Sequence, residues 1–385
     1  MLFSPDALRD PYPIYDQLRA AAPVLREPQS GLWMVLGYDD VKRTLTDHDT
    51  FSSRHGPAEW MIFQDPPMHP RLRGLVAQAF TPRTVLNLEQ DIRELSRELL
   101  DPLLENGAMD LATDYSGPLP MRVIARMLGL PEADLASFTR WNNAILEMSY
   151  TVPGGPGVSE VVTTFQAVTA EMNDYLSVLL AERRRNPQDD LFTRLLFAQV
   201  DGERLSQEEI LGFFQLLLLA GSETTTNLVN NAILTLLANP EELALLRESP
   251  DLLPSVIEEV LRYCSPLQWM FRLAKRDVEL SGQTIPAGKL VLAMIGSANR
   301  DPRQFHDPNS FVPTRDPNPH LAFGHGIHFC LGAALARLEA RIALTDLLKR
   351  TTDLSLASDS PWPPRRGLHV HGPSSLPVRF RKAQG

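Results

Sequence analysis

Apolar residues recur at spacings of three and four through the middle of the chain, from residue 70 to about residue 239. Because an α-helix turns once every 3.6 residues, this spacing aligns the apolar side chains on one helical face. The clearest helical segments cover residues 86–104, 121–128, 165–185 and 206–238, the last starting at a capping box of Ser206 and Glu209. A further helix is predicted over residues 331–349. The pattern predicts a mainly α-helical protein.

Short β-like runs lie on both sides of this helical stretch. Glycines bracket an apolar run over residues 31–37, and strand patterns return at 278–280, 289–292 and 376–380. A turn is predicted at Ile285-Pro-Ala-Gly288, between two of these runs. No linker divides the chain, so we predict one domain over residues 1–385, mainly α with a small β region at its side.

Composition and charge narrow the classes of partner. The 385-residue chain carries a formal net charge of −10, which disfavours binding to nucleic acid and to anionic membranes. Its two cysteines, Cys264 and Cys330, are too few for a disulfide framework, which favours the reducing cytoplasm. The most apolar run, residues 210–221, is shorter than the ~20 residues of a membrane-spanning helix, and the N-terminus lacks a signal-peptide pattern. We expect a cytoplasmic protein with no membrane anchor and no nucleic-acid partner.

The strongest chemical signal is the segment Phe323-Gly-His-Gly-Ile-His-Phe-Cys-Leu-Gly332. Cys330 directly precedes a predicted helix, and the N–H groups and dipole of a helix start favour a thiolate, the form that binds metal. Gly324 and Gly326 permit a tight turn, and Gly332 leaves room for a flat group against the helix start. The alternative is a structural cysteine beside a glycine-rich turn.

The second signal, residues 220–225 (Ala-Gly-Ser-Glu-Thr-Thr), lies inside the long predicted helix. Glycine and β-branched residues weaken a helix interior, so we predict a local opening in which Thr224 bonds the carbonyl of Ala220. Gly221 would line a space for a small molecule such as O2, and the Glu223 carboxylate is suited to relaying protons. The alternative is a helix bend with a solvated Glu223.

Two charged pairs are spaced to share a helical face. Glu259 and Arg262 lie three residues apart, and His69 and Arg73 lie four apart. Each pair, taken alone, is most simply a solvated pair on a helix surface. His69 and Arg73 are also suited to binding a carboxylate.

The cysteine segment resembles the haem-binding loop of bacterial cytochromes P450, whose pattern Phe-Gly-x-Gly-x-His-x-Cys-x-Gly it matches at every position. The resemblance runs from residue 10 to residue 380, with the other three motifs in the family's order; one departure is Ala334, where many bacterial relatives carry proline. It implies the fold of that family, a triangular helical prism with haem between the long central helix and the helix after the cysteine loop.

The resemblance also implies roles for individual residues. Cys330 would be the axial thiolate ligand of haem b, bound non-covalently because no Cys-x-x-Cys-His motif occurs. Glu223 and Thr224 would be the catalytic acid–alcohol pair that delivers protons when O2 is activated. Cofactor contacts are implied for His69, Arg73, Ala220, Gly221, Arg272, Phe323, Gly324, His328, Cys330 and Gly332, and a structural charge network for Glu259, Arg262 and Arg315.

Four of these cofactor contacts, His69, Arg73, Arg272 and His328, would hold the haem propionates. Substrate contacts vary within the family, so only apolar residues near the motifs are candidates, each with plain core packing as the alternative. They are Trp60, Met61, Phe63, Leu216, Trp269 and Met270. A flexible hinge is expected at Pro153-Gly-Gly-Pro-Gly157. The expected substrate is an apolar small organic molecule such as a terpenoid, steroid, fatty acid or polyketide.

The predicted activity is that of a cytochrome P450 monooxygenase that hydroxylates or epoxidises its substrate. No flavin or nicotinamide motif is visible, so electrons are expected from an external ferredoxin or flavodoxin with its reductase. We predict that basic residues on the helix after the cysteine loop dock this donor, with an ordinary solvated face as the alternative: Arg337, Arg341, Lys349 and Arg350. A peroxide-driven peroxygenase and a non-enzymatic haem-thiolate sensor or carrier are the other readings, and the Glu223–Thr224 pair favours the monooxygenase.

Overall fold

The apolar spacings of the sequence correspond to helices along most of the chain, as described by a computed structural model for residues 4–28, 31–150 and 158–383. The predicted hinge at Pro153-Gly-Gly-Pro-Gly157 lies outside these residues. Within them, the helices are α1 (Pro5–Arg9), α2 (Tyr12–Ala21), α3 (Tyr38–Thr46), α4 (Met68–Ala79), α5 (Pro82–Asn87), α6 (Glu89–Leu104), α7 (Pro118–Met127), α8 (Leu135–Tyr150), α9 (Val158–Arg185), α10 (Leu191–Phe197), α11 (Gln207–Ala238), α12 (Pro240–Glu248), α13 (Leu253–Tyr263), α14 (Ile295–Ala298) and α15 (Ala333–Arg350).

The longest described helix, α11, begins and ends where local chemistry predicts. The Ser206 hydroxyl accepts a hydrogen bond from the amide of Glu209 at 3.2 Å, and the Glu209 carboxylate accepts one from the amide of Ser206 at 2.8 Å. This reciprocal pair confirms the capping box. At the other end, Pro240 starts α12, because proline is compatible with the first turn of a helix but not with its interior. The predicted segment 206–238 is therefore confirmed.

Ten short strands form three sheets. They are β1 (Val24–Arg26), β2 (Trp33–Val35), β3 (Phe51–Ser52), β4 (Ala108–Asp110), β5 (Met270–Ala274), β6 (Val278–Leu280), β7 (Gln283–Ile285), β8 (Leu290–Ala293), β9 (Thr351–Leu356) and β10 (Pro377–Lys382), counted over the described ranges. The strand orders are β1-β2-β8-β5-β3, β4-β10-β9 and β6-β7. The small β region is confirmed, and the register of the first sheet pairs Arg272 of β5 with Val291 of β8.

One strand lies inside the stretch from residue 70 to about residue 239, which was predicted to be almost wholly helical. β4 pairs antiparallel with β10, where Met109 lies opposite Val378, and a π-helix over Leu111–Ser116 follows it. The predicted helical segments 86–104 and 121–128 leave these residues unassigned, because the strand depends on hydrogen bonds to a segment far away in the sequence. Gly107, at φ +68°, breaks the helical path just before it.

The chain divides into two compact units. The first comprises Met1–His55, Ile92–Leu119 and Glu223–Gly385, and the second comprises Gly56–Asp91 and Pro120–Ser222. The prediction of one domain over residues 1–385 stays a prediction. Among the described helices, none combines the length and the apolar character needed to cross a membrane.

Each unit has its own apolar interior. In the first, the five-stranded sheet packs residues such as Val35, Phe51 and Val291 into a buried cluster with Val41 of α3 and Ile295 of α14. In the second, aromatic rings make close pairs, with Phe192 and Phe214 at 4.1 Å and Phe138 and Trp141 at 4.8 Å between centroids. Burial of these side chains stabilises the elements that carry the polar motifs.

Candidate active site

The loop before Cys330 has the tight turn that its glycines predict. Gly324 and Gly326 have φ of +71° and +72°, a backbone conformation that residues with a Cβ rarely adopt. The amide of Cys330 donates to the carbonyl of Phe323 at 2.9 Å and closes the loop. A Cβ on Gly326 would lie 3.1 Å from the Cα of Thr46, so this glycine also permits a close approach to α3.

Cys330 lies at the start of α15. The helix begins at Ala333, two residues later than predicted, and Gly332 is its N-cap. Cys330 is partly buried, and a Cβ built on Gly332 would have no atom within 4 Å. Open space thus faces the helix start at Gly332, as the expected flat group requires.

The Glu259–Arg262 pair is fully buried, so the surface-pair alternative is wrong. Arg262 donates two hydrogen bonds to the two carboxylate oxygens of Glu259, at 2.8 and 2.7 Å, and both side chains are 0% exposed. Arg315 donates to the same carboxylate at 3.1 Å. Burial is the largest influence on the Arg262 guanidinium and lowers its pKa, while Glu259 opposes that effect. The structure brings together the three residues predicted as a charge network.

Glu223 is buried on α11, at 3% side-chain exposure, so the alternative of a solvated carboxylate is wrong. Its Oε1 lies 3.5 Å from Nε of Arg365, a partly exposed residue that no sequence signal had connected with it. The α-helix continues unbroken through residues 220–225, so the predicted opening is not a break in the helix. A hydrogen bond from a hydroxyl to the carbonyl one helical turn earlier is made by Ser222, which donates to Leu218 at 2.9 Å. The bond from Thr224 to Ala220 stays a prediction.

Gly221 makes a close approach within the second unit. A Cβ built there would lie 3.0 Å from Cδ1 of Ile124 in α7, tighter than an ordinary contact. Glycine therefore allows this side chain to pack against the face of α11. That this face of α11 also admits O2 stays a prediction.

The four residues predicted to hold propionates lie in both units. In the second, His69 and Arg73 share a face of α4; His69 is 2% exposed and Arg73 is partly buried, so the solvated-face alternative is wrong. In the first, Arg272 on β5 is 3% exposed and donates to the carbonyl of Phe271 at 2.7 Å. His328 shares a hydrogen bond with the Ser53 hydroxyl at 3.0 Å, a partner that sequence reasoning missed. That these four residues together bind the haem propionates stays a prediction.

The apolar substrate candidates are mostly packed. In the second unit, Trp60 stacks on Phe63 at 5.9 Å and donates to the amide oxygen of Gln215 at 2.9 Å. Met61 and Leu216 are buried there as well. In the first unit, Trp269 and Met270 are partly buried and pack against the apolar clusters, with the Trp269 ring 4.3 Å from that of His369. Core packing accounts for these contacts, and substrate contact stays a prediction for all six.

Arg337 is not the uncommitted surface charge that the docking hypothesis assumed. Its guanidinium donates to both oxygens of Glu258, at 2.6 and 2.8 Å, and lies 4.4 Å from the ring centroid of Phe323. Burial alone would raise the pKa of Glu258, but hydrogen bonds from Arg337 and His320 lower it to about 2. Arg350 pairs with Asp101. Two of the four predicted docking charges are therefore neutralised within the first unit.

Comparisons with known proteins agree with this arrangement. The family model for cytochrome P450 matches residues 156–371. Cytochrome P450 109 of Bacillus spizizenii is 41% identical over 372 residues, covering 96% of this chain and 92% of the relative. The structure of cytochrome P450 CYP109Q5 from Chondromyces apiculatus is 40% identical, with a TM-score of 0.92 and coverage of 100% and 98%. CYP109E1 from Bacillus megaterium in complex with testosterone is 38% identical, with a TM-score of 0.89 and coverage of 96% and 99%.

Relatives of this kind are oxidoreductases that use non-covalent haem b and O2. The matches extend over nearly the whole chain, including the helices and sheets that position the Cys330 loop and the Glu259 network. The chain belongs to the cytochrome P450 family.

Proposed function

We propose that this protein is a monooxygenase that inserts one oxygen atom from O2 into an apolar small molecule of steroid-like size, by hydroxylation or epoxidation. The observation that carries the proposal is the Cys330 loop, with its two positive-φ glycines, its closing hydrogen bond and the open space at Gly332. The steroid class is supported by the relative crystallised with testosterone. We place the reaction in the cytoplasm, in keeping with two cysteines that form no disulfide.

The residues present fit a haem-thiolate. Cys330 would hold the iron, because the start of α15 favours a thiolate and Gly332 leaves its face open. His69, Arg73, Arg272 and His328 would bind the propionates, since their side chains offer cationic or hydrogen-bonding groups suited to carboxylates. The bound haem supplies the O2-activating redox chemistry. Phe323, Gly324, Ala220 and Gly221 are proposed as the remaining contacts.

We assign the delivery of protons to Glu223 and Thr224 of α11. The Glu223 carboxylate is buried but lies 3.5 Å from Arg365, whose side chain is partly exposed. Arg365 would stabilise the ionised form of Glu223, and Glu223 would pass protons taken from the solvent side to the Thr224 hydroxyl. This pair favours O2 over peroxide as the oxidant, because only the O2 reaction requires delivered protons. The peroxygenase and the sensor or carrier remain the alternatives.

Electrons are proposed to come from a separate ferredoxin or flavodoxin with its reductase. The reaction with O2 requires two electrons, and the sequence carries no flavin or nicotinamide motif that could supply them. A small, separate electron carrier is therefore the expected partner.

The first test is the absorbance of the reduced protein with carbon monoxide. Thiolate ligation gives a Soret band at a distinctly longer wavelength than ligation by a neutral group, and Cys330→Ser should abolish that band. Titration of the ferric protein with steroids and with fatty acids of similar size then tests the substrate class through the spin-state change. A short-wavelength band in fresh, folded protein would refute the monooxygenase assignment, and a response to fatty acids alone would refute the steroid class.

A further inference from the structure

The second cysteine, Cys264, has no part in the proposed oxygenase chemistry, yet it has a partner suited to activating a thiol. It is the C-cap residue of α13 and is partly buried. Its Sγ lies 3.4 Å from Nδ1 of His371, whose side chain is buried at 5% exposure in the segment before β10. A thiol and an imidazole at this separation share one proton.

The other ring nitrogen fixes the direction in which that proton moves. Nε2 of His371 lies 3.0 Å from the backbone carbonyl oxygen of Arg9. A carbonyl only accepts hydrogen bonds, so Nε2 carries a proton and Nδ1 is left as the base that faces the sulfur. The Cys264 sulfur is thus the nucleophile, His371 is the base, and the Arg9 carbonyl orients that base, an arrangement typical of activated cysteine nucleophiles.

The remaining groups around the sulfur also favour its anion. Hydrogen bonding by the Tyr12 hydroxyl lowers the pKa of the Cys264 thiol. The Arg300 guanidinium lies between two rings, 3.8 Å from the centroid of Tyr12 and 3.7 Å from that of Tyr263. Asn231 and Gln268, which bond neighbouring groups, are neutral. The C-terminal end of α13, where the helix dipole is negative, opposes a negative charge on the sulfur.

At both partners, the net shift of the pKa favours the charged form. Burial would raise the pKa of the Cys264 thiol, but His371, Arg300 and Tyr12 together lower it. Burial would lower the pKa of His371, but the facing sulfur and the Arg9 carbonyl raise it. A lowered thiol pKa beside a raised imidazole pKa favours transfer of the proton to His371.

We propose that Cys264 and His371 form a nucleophilic thiolate–imidazolium pair, and that Cys264 is a modification site for small, soft electrophiles such as hydrogen peroxide. With hydrogen peroxide, the sulfur attacks one oxygen, a S–O bond forms and the O–O bond breaks. The sulfur is oxidised by two electrons to a sulfenic acid, and the departing hydroxide takes the His371 proton and leaves as water. The site is independent of the proposed oxygenase function, because none of its residues belongs to that machinery.

The test is the pH dependence of alkylation by iodoacetamide in the holoprotein. Alkylation forms a S–C bond and releases iodide, so its rate follows the thiolate fraction without any redox partner. Peptide mass spectrometry separates the Cys264 adduct from any adduct at Cys330. An ordinary thiol, with a pKa of about 8.5, reacts about tenfold faster per pH unit between pH 6 and 8. The Cys264 rate should rise distinctly less steeply with pH over that range, because its thiol pKa is lowered.

Two variants make the test specific. His371→Gln removes the base and should restore the rising pH profile of an ordinary thiol. Tyr12→Phe removes the hydroxyl but keeps the ring and the base, so it should give a smaller shift in the same direction, and it serves if the first variant does not fold. Thiolate absorbance in the ultraviolet, taken as the difference between wild type and Cys264→Ser, reads ionisation without requiring access for a reagent.

The proposal is overturned by either of two results. One is a wild-type rate that rises about tenfold per pH unit, because it shows an ordinary thiol. The other is the lack of a Cys264 adduct at any pH in folded protein, because it shows that small electrophiles do not reach the sulfur.

Discussion

Glu259 accepts hydrogen bonds from Arg262, Arg315, Asn318 and the amide of Val312, with no exposure to solvent. At the scale of single residues, such convergence makes the network sensitive to the loss of its one negative charge. Removing one partner of a buried pair leaves an uncompensated charge, which costs far more than the pair contributes in net stability. We therefore predict that the Glu-x-x-Arg motif acts through folding.

We expect Glu259→Gln to lower the free energy of unfolding by about 3–5 kcal/mol, because Arg262 and Arg315 would keep buried charges without a counter-charge. Urea unfolding of the holoprotein measures the change. Glu171→Gln is the matched control, because Glu171 pairs with Arg140 at the surface, and it should leave the unfolding midpoint nearly unchanged. Equal effects of the two variants would contradict the role of burial.

A second prediction at the residue scale concerns Thr224. Thr224→Ala should raise the hydrogen peroxide released and lower the product formed per electron consumed, because proton delivery loses its hydroxyl. Thr235→Ala removes a hydroxyl about three turns further along α11 and is the control. Arg365→Gln should shift the pH dependence of coupling, since Glu223 would lose its cationic neighbour. Coupling equal to wild type in Thr224→Ala would exclude the assigned role.

At the scale of elements, the cysteine loop depends on its backbone as much as on its sulfur. Gly326→Ala combines an unfavourable positive φ with a Cβ only 3.1 Å from the Cα of Thr46. Gly282→Ala has a similar φ, +76°, but no atom within 4 Å, so it isolates the cost of the backbone conformation, about 1 kcal/mol.

Gly326→Ala should therefore destabilise the protein more than Gly282→Ala and should also lower the amount of haem retained. Thermal unfolding and the ratio of haem to protein absorbance provide the two measurements. If both variants retain haem equally and unfold alike, the contact with α3 does not constrain the loop.

Within α15, Glu339 is a buried acid whose Oε2 has no hydrogen-bond partner among the described residues. Burial raises its pKa from 4.5 to about 8. The folded protein thus holds a proton that the unfolded chain releases above pH 4.5. The stability that this proton provides is fully present below pH 4.5 and is lost as the pH rises through about 8.

Glu339→Gln keeps the shape of the side chain and cannot ionise, so it should remove this pH dependence. We expect the variant to gain about 2–4 kcal/mol relative to wild type between pH 5 and pH 8, as measured by urea unfolding at each pH. A constant difference between the two proteins across that range would show that Glu339 does not titrate.

At the scale of the whole molecule, charge governs the approach of an electron donor. The chain carries a net charge of −10, and Glu258 and Asp101 already pair with Arg337 and Arg350. An acidic donor is therefore repelled at long range, and salt screens that repulsion.

The rate of reduction by an acidic ferredoxin should consequently rise, by up to severalfold, as the salt concentration increases from low to physiological values. Stopped-flow absorbance measures the rate, and an uncharged mediator is the control. A rate that falls with salt would instead support the basic docking patch predicted from the sequence.

The sequence by itself determined the features whose causes are local. The capping box at Ser206, the glycines at 324 and 326 and the spacing of Glu259 and Arg262 each depend on residues within a few positions of one another. Backbone hydrogen bonds and φ preferences act over that distance, so the bounds of α11 and the shape of the cysteine loop were predictable. The family resemblance rested on the same short segments.

Only the tertiary structure decided the pairings between distant segments. The approach of Arg365 to Glu223, the placement of Arg337 on Glu258 and Phe323, the β4–β10 ladder and the Cys264–His371 pair each join residues far apart in the chain. Burial and the paired groups together set the protonation of the ionisable members, and both depend on how the whole chain packs. For that reason, Arg262 and Arg337, which the sequence pattern places on solvated helix faces, are paired in the folded protein and partly removed from water.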